Sequence, residues 1–121
     1  MMAEDLFQEL SGILGPKGLL TEATDMAPFV TDFRHRRTGS ALAVLLPATT
    51  AEAAAAVQAV TARKIAIFPQ GGNTGLCYGA VPDAGVVIGL QRMRKLRQVD
   101  GRSGLISVDA GMTLGELHVE A

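Results

Sequence analysis

The sequence contains few of the residues on which several common kinds of site depend. Of its 121 residues, one is cysteine, none is tryptophan, and the aromatic side chains are four phenylalanines and one tyrosine. A single cysteine excludes an intramolecular disulfide framework and a multi-cysteine zinc site. Few aromatic rings and a net charge of −1 argue against stacking on bases or bulk-charge binding of nucleic acid. We therefore expect no nucleic-acid partner and no metal site.

Long apolar runs and targeting signals are also missing. The longest apolar run, residues 41–46, is six residues, far short of the ~20 that a transmembrane helix needs. No basic region precedes an apolar stretch near Met1, so we expect no secretory signal, no membrane span and a cytoplasmic location. Because 48% of the residues are hydrophobic, the chain can bury a core and is not expected to be disordered.

The first forty residues carry one clear periodic signal. Apolar residues spaced by three and four predict an amphipathic helix over residues 3–14, which Gly15 and Pro16 end. Residues 16–40 are less regular, and here we expect Asp25 to cap a short turn before Pro28.

The next segment has the pattern of a βαβ unit. The continuous apolar run 41–46 predicts a strand buried on both faces, and residues 65–68 predict a second strand. Between them, Thr49 and Glu52 form a capping-box pattern before an alanine-rich helix that reaches about residue 62. A right-handed crossover of this kind leaves the two strands parallel.

The C-terminal third predicts a further strand, a hairpin and a helix. Residues 85–90 form a third apolar run that we expect in the same sheet. Residues 96–100 and 105–110 are expected to pair, with Asp100 and Gly101 as the turn signal. Thr113 and Glu116 form a second capping box, which predicts a helix to the end of the chain.

Glycine is over-represented and concentrated in one loop. The chain has 14 glycines, five of them between residues 71 and 85, against an average of about 7% in proteins. Successive amides in such a loop can converge on an anion, and the loop follows a buried strand, where ligands of α/β sheets commonly bind. An ordinary glycine-rich turn without a ligand is an equally open interpretation.

The known nucleotide motifs narrow the choice of anion. The chain has neither the Walker motif nor Gly-x-Gly-x-x-Gly, and residues 69–85 contain no lysine or arginine. A bound phosphate would be held by backbone amides and neutral side chains. This suits the diphosphate of a tightly bound cofactor better than a nucleoside triphosphate, whose transfer usually needs lysine and Mg²⁺.

Residues 69–76, Pro-Gln-Gly-Gly-Asn-Thr-Gly-Leu, resemble the pyrophosphate loop of flavoproteins with the p-cresol methylhydroxylase type FAD domain. Within that superfamily the chain is most similar to the D-2-hydroxyacid dehydrogenases, which act on D-lactate, glycolate or D-2-hydroxyglutarate. Further segments that resemble this family, in the same order, are residues 18–20, 31–34, 45–52, 81–83, 86–88, 92–93 and 108–114.

The resemblance implies a fold and a division of the chain. The implied class is α+β, the N-terminal part of the p-cresol methylhydroxylase type FAD-binding fold. It has a small parallel βαβ sheet with flanking helices, followed by the start of an antiparallel subdomain. Residues 1–38 would be an N-terminal helical approach and residues 39–121 the FAD-binding domain, with its first subdomain and the start of its second. Family members are several times longer, so the chain is interpreted as a fragment that is inactive alone.

The resemblance also implies the cofactor and its contacts. FAD is the expected cofactor, and the implied cofactor-binding residues are Pro69, Gln70, Gly71, Gly72, Asn73, Thr74, Gly75, Leu76, Gly79 and Gly111. The implied substrate is a small D-2-hydroxyacid, whose electrons pass through flavin to a quinone, a cytochrome or an electron-transfer flavoprotein. No segment of this chain resembles the family's catalytic and metal-binding residues, which would lie beyond Ala121.

Some residues depart from the family pattern or carry a second interpretation. Cys77 and Tyr78 replace small residues in the loop; a covalent flavin link through Cys77 is the less favoured interpretation, a small buried thiol the ordinary one. His35 and His118 lack ligand-spaced partners and are expected at the surface. The basic residues of segment 92–97 could balance the FAD phosphates at a distance, but a charged edge strand is the preferred interpretation.

Two other functions remain open from the sequence. One is a free-standing nucleotide- or phosphate-binding α/β module without catalysis. The other is a different FAD-linked oxidase, such as a sugar-alcohol oxidase.

Overall fold

The computed structural model describes residues 2–31, 35, 38–72 and 82–120. Its helices are α1 (Met2–Leu14), α2 (Ala23–Val30), α3 (Thr50–Ala62) and α4 (Leu114–Glu120). Its strands are β1 (Leu19–Leu20), β2 (Ser40–Leu45), β3 (Ile67–Gln70), β4 (Asp83–Gly89), β5 (Leu96–Asp100) and β6 (Leu105–Val108). The predicted α+β class is confirmed.

A four-stranded sheet in the order β1-β2-β4-β3 forms the centre of the fold. Strand β4 lies between β2 and β3 and is parallel to both, whereas β1 is antiparallel to β2. The parallel βαβ unit is thus confirmed, and the third apolar run is inserted between its two strands. Glycine at position 85 permits this insertion, because a Cβ there would overlap the carbonyl oxygen of Ala66.

Both faces of the sheet are covered, as the continuous apolar run predicted. Alternate residues of β2 and β4 point to opposite faces. Ala43, Leu45, Val86 and Ile88 pack with α1 and α3, while Val44 and Val87 pack with side chains of α2. The core positions of α1 are the leucines at 6, 10 and 14, which are buried at the spacing the periodicity predicted.

The prediction for Asp25 and Pro28 is wrong. Residues 23–30 form helix α2, whose N-cap position is Glu22, and Asp25 lies inside the first turn. Pro28 lies within the helix, where it removes one backbone hydrogen bond, and the helix ends two residues later. Burial of Phe29 and Met26 against the sheet holds the helix in place despite this loss.

Both threonines cap as predicted, but only the second capping box is reciprocal at its own N-cap residue. At the first, the amide of Glu52 donates to Thr49 Oγ1 at 3.1 Å, while the Glu52 carboxylate accepts from the amide of Ala48 rather than from that of Thr49. At the second box, the amide of Glu116 donates to Thr113 Oγ1 at 3.3 Å, and the amide of Thr113 donates back to Glu116 Oε1 at 3.2 Å. These contacts fix where α3 and α4 begin.

The predicted hairpin pairs β5 with β6, but its turn differs from the expected one. The chain reverses over residues 101–104, and the left-handed position is Gly104, with φ of 73°, rather than Gly101. The Asp100 carboxylate accepts from the amides of Arg102 and Ser103 at 3.0 and 3.4 Å. With the Ser103 side chain as the largest influence, these hydrogen bonds lower the pKa of Asp100.

Candidate functional site

The glycine-rich segment that starts at Gly71, which we call the glycine segment, begins where β3 ends, at the carboxyl edge of the parallel strands. Gln70 is the last residue of β3 and pairs with Gly89 at the end of β4. Its carbonyl oxygen accepts from the amide of Leu90 at 3.0 Å. Gly71 and Gly72 follow and are exposed. The segment therefore leaves the sheet at the position where open α/β sheets bind ligands.

Half of the predicted site residues lie outside the described residues. Asn73, Thr74, Gly75, Leu76 and Gly79 fall within 73–81, as do Cys77 and Tyr78, so their predicted roles stay predictions. Of the others, Gln70, Gly71, Gly72 and Gly111 line one cleft of about 760 Å³, and Pro69 is not among its lining residues. We call this the glycine cleft.

The glycine cleft is bounded by the C-terminal end of α2 on one side and by the residues around α4 on the other. The α2 side consists of Ala27, Pro28, Phe29 and Thr31, with His35 nearby. The other side consists of Gln91, Arg94, Gly111, Thr113 and Glu116. Sequence reasoning missed the α2 wall because the proline suggested a turn, and it missed Thr113 and Glu116 because their capping pattern already explained them.

Pro69 has a place in the strand rather than in the cleft. It pairs with Ile88 of β4 in β3, which is the last strand of the sheet order, and its side chain is exposed. Proline lacks an amide donor and is tolerated in edge strands for that reason.

Gln70 is the one buried polar side chain among the described residues, with 5% of its surface exposed. Its Nε2 donates to the carbonyl oxygen of Phe29 at 2.8 Å. This carbonyl belongs to the last turn of α2, so the side chain ties the α2 wall to the strand from which the glycine segment starts. The side chain that the resemblance placed among the cofactor contacts is engaged with the protein itself.

Gly71 leaves space that the described residues do not use. A Cβ at this position would find its nearest neighbour, the carbonyl oxygen of Ala110, 3.9 Å away. Packing within the described part of the chain therefore does not require glycine here. A bare backbone on an open cleft suits the close approach of a ligand, and the residues present fit a diphosphate held by amides.

Gly111 has a different reason to be glycine. It is buried, and a Cβ there would overlap the carbonyl oxygen of Leu90 and lie 2.7 Å from that of Met93. Its amide donates to Met93 O at 2.9 Å. The residue thus lets the chain after β6 pass directly against residues 90–93 while it lines the glycine cleft.

The basic segment 92–97 is divided between different contacts. Arg92 Nη1 donates to the carbonyl oxygen of Leu46 at 2.7 Å. Arg97 Nε donates to Asp109 Oδ1 at 2.6 Å, and the hydrogen bond from Arg97 is the main reason that the pKa of Asp109 is lowered. Arg94 pairs with Glu116 at 3.6 Å. Only Arg97 of the four cations lies within β5, so the interpretation as a charged edge strand is wrong for Arg92, Arg94 and Lys95.

A second cleft lies on the other side of Arg94. It has a volume of about 660 Å³ and is lined by residues 48–51 at the start of α3, Asp109 and the four cations of segment 92–97. We call it the basic cleft. Within the described ranges, Arg94 is the one cation that lines both clefts. As expected, His35 and His118 are exposed, and His35 lies at the glycine cleft.

The fold is that of an α+β domain of the p-cresol methylhydroxylase type. The fold matches p-cresol methylhydroxylase with substrate bound, with a TM-score of 0.85 and 21% identity over 98% of this chain and 24% of that chain. It also matches alkyldihydroxyacetonephosphate synthase, with a TM-score of 0.84 and 20% identity over 97% of this chain and 24% of that chain. At these identities the likeness establishes the fold.

The sequence profile of the FAD binding domain family matches residues 41–121, and the chain belongs to this family. FAD is the cofactor that this assignment indicates. Among the described residues, no helix is long and apolar enough to cross a membrane.

The two relatives described here are dehydrogenases by name. The chain is 35% identical over 106 residues to a mitochondrial D-2-hydroxyglutarate dehydrogenase of Arabidopsis thaliana, covering 87% of this chain and 19% of the relative. It is 31% identical over 124 residues to a quinone-dependent D-lactate dehydrogenase of Haemophilus influenzae, covering 98% of this chain and 22% of the relative. The chain spans about a fifth of the length of these relatives.

Proposed function

We propose that the chain is the diphosphate-binding part of an FAD-dependent oxidoreductase that converts a small D-2-hydroxyacid to the 2-oxoacid. The observation that carries the proposal is the exposed Gly71–Gly72 backbone, beside a cleft at the carboxyl ends of β3 and β4, in a member of the FAD binding domain family. The relatives act, by their names, on D-2-hydroxyglutarate and D-lactate. The hydroxyacid is thus of the lactate, glycolate or 2-hydroxyglutarate type.

In this proposal, backbone amides from Gly71 through Gly75 hold the diphosphate, Pro69 and Leu76 flank it, and Gly79 allows its close approach. The Gln70 side chain holds the start of the segment against α2, and Gly111 lines the same cleft. When bound, the flavin supplies the acceptor for the electrons that leave the hydroxyacid α-carbon, while the protein binds and orients both groups.

In this proposal, the substrate pocket and the site that accepts the substrate proton lie in the parent polypeptide, and the electron acceptor is a separate molecule. We propose that the 121-residue chain alone is inactive, because it spans about a fifth of its relatives. The acceptor is a quinone, a cytochrome or an electron-transfer flavoprotein. A cytoplasmic location stays a prediction, since several relatives are mitochondrial by name; fractionation of the source cells would test it.

The first test is the absorption spectrum of the protein expressed from the complete reading frame. We expect flavin absorption bands at about 370 and 450 nm and release of FAD on denaturation. Turnover with an artificial dye acceptor should then be seen for a D-2-hydroxyacid and not for its L-enantiomer. Absence of flavin after incubation with FAD would contradict the proposal, and flavin without hydroxyacid turnover would favour another FAD-linked oxidase.

A matched pair of variants connects the cofactor to the glycine segment. Gly71→Val places a branched side chain where the described residues leave open space, so the fold should persist while FAD retention is lost. Gly101→Val is the control, because Gly101 lies in the hairpin turn with nothing within 4 Å of an added Cβ. Equal retention by both variants would show that the diphosphate does not approach Gly71.

A further inference from the structure

The loop at the glycine cleft supplies no positive charge to balance a bound diphosphate. A diphosphate is an anion, and residues 69–85 contain no lysine or arginine. In the part of the chain that the structure describes, the lining of this cleft contains one arginine, Arg94, and one carboxylate, Glu116. Their side-chain nitrogen and oxygen are 3.6 Å apart.

Arg94 differs from Arg92 and Arg97 in that its guanidinium is available to a ligand. Arg92 and Arg97 are engaged by the short hydrogen bonds to Leu46 O and Asp109 described above. The Arg94 side chain is 58% exposed, and its distance to Glu116 is beyond hydrogen-bond length. Exposed ion pairs of this kind contribute little to stability, so the guanidinium can exchange one anion for another at small cost.

Glu116 can lose its contact with Arg94 without losing its capping contacts. Arg94 approaches Glu116 Oε2, whereas the capping contacts of α4 use Oε1, which accepts from the amide of Thr113 at 3.2 Å and from its hydroxyl at 3.0 Å. The helix cap therefore survives when the guanidinium moves away. The ion pair keeps Arg94 at the edge of the glycine cleft, and its guanidinium can still exchange Glu116 for another anion.

We propose that Arg94 is the cation that binds the diphosphate of the cofactor in the glycine cleft, exchanging Glu116 for the phosphate oxygens. A guanidinium presents a planar fork of donors that matches phosphate geometry, and it retains its charge at any physiological pH. The proposal rests on the proposed function and adds a specific residue to it. It also explains how a loop without cations can hold a dianion.

The experiment compares Arg94→Gln with Lys95→Gln in the protein expressed from the complete reading frame. Both changes remove one positive charge from adjacent exposed residues, but Lys95 lines only the basic cleft. We expect Arg94→Gln to raise the Kd of FAD about tenfold and to flatten its salt dependence, as loss of an exposed charge-assisted contact should. Lys95→Gln should change the Kd less than about twofold, since it alters only the screened background field.

Three further measurements test whether the Arg94 guanidinium binds the phosphate. Riboflavin, which has the flavin ring without phosphate, should bind the wild type and Arg94→Gln with the same Kd. Glu116→Gln preserves a capping box, in which glutamine is as suitable as glutamate, and should lower the Kd of FAD by removing the competing carboxylate. The Kd of FAD for Arg94→Lys should lie between those of the wild type and Arg94→Gln, because the positive charge remains and the planar fork of donors is lost.

The outcomes separate this proposal from the one on which it rests. If the wild type binds FAD and Arg94→Gln binds it equally well, Arg94 is not the diphosphate cation and the proposed function stands. Equal weakening by Arg94→Gln and Lys95→Gln would also overturn the proposal, since it would indicate a diffuse field. Failure of the wild type to bind FAD would refute both.

Discussion

The buried carboxamide of Gln70 allows a prediction about the α2 wall of the glycine cleft. Gln70→Leu keeps a side chain of similar size but removes the donor to Phe29 O, which lies 2.8 Å from Nε2. A buried carbonyl left without its donor costs about 1–3 kcal/mol. Taking about 2 kcal/mol and an unfolding entropy of about 2.1 cal/mol/K per residue, the 121-residue chain should lose about 8 °C in Tm.

Gln70→Glu makes the same prediction dependent on pH. An ionised carboxylate would face the Phe29 carbonyl oxygen, whereas a protonated carboxyl can donate to it as the amide does. Burial raises the pKa of such a glutamate above its ordinary value of about 4.3. Its protonated form is favoured in the folded state, so the stabilising contact is present at low pH and lost as pH rises through the folded-state pKa.

The assay is thermal or urea unfolding of the wild type and both variants between about pH 4.5 and pH 7. The gap between Gln70→Glu and the wild type should narrow as pH falls, while the gap for Gln70→Leu should stay constant. Gln98→Leu, an exposed position in β5, is the control and should leave Tm nearly unchanged. A Gln70→Glu protein as stable as the wild type at neutral pH, or a gap independent of pH, would refute the reasoning.

The remaining predictions concern stability away from this contact. Lys64 follows α3 with φ of 56°, so Lys64→Gly should relieve left-handed strain and stabilise the chain by about 0.5–1 kcal/mol in urea unfolding. Thr49→Ala removes the acceptor of the Glu52 amide and should cost about 1 kcal/mol in the same assay. Asp109→Asn should destabilise the chain above pH 3.8, and the difference should shrink as pH falls through the lowered pKa of Asp109, since the wild-type carboxylate then protonates. Gly111→Ala should prevent the close packing on Leu90 and lower Tm, whereas Gly115→Ala, in open space, should not.

Local signals predicted most of the elements because their causes are local. The capping bonds from the amides of Glu52 and Glu116 to Thr49 Oγ1 and Thr113 Oγ1 form as expected, since each needs only residues three apart. The apolar run at 41–46 predicted a doubly covered strand for a similarly simple reason. Helix α2 was not predicted, because its burial against the sheet outweighs the proline at position 28, and that contact involves residues distant in the sequence.

The sequence predicted which segment lies at the candidate site, but not the contacts that its side chains make. The resemblance pointed to the segment from Pro69 onward, and the structure places Gln70–Gly72 at a cleft. The resemblance gave no indication that the Gln70 side chain would bind Phe29 O, and the sequence did not distinguish Arg94, which lines the same cleft, from the other cations of segment 92–97. Gln70 and Phe29 are 41 positions apart, and no sequence spacing records such a contact.

The insertion of β4 between β2 and β3 affects how the chain assembles during synthesis. The parallel sheet cannot close until residues 83–89 have emerged, because β2 and β3 have no direct pairing with each other. The glycine segment joins the carboxyl end of β3 to the amino end of β4, so the pairing of these two strands fixes both of its ends. Loop closure before long-range pairing is slow, so the edges of β2 and β3 are exposed while the chain waits for its central strand. Chaperone dependence should therefore be greatest for nascent chains that end just before residue 83.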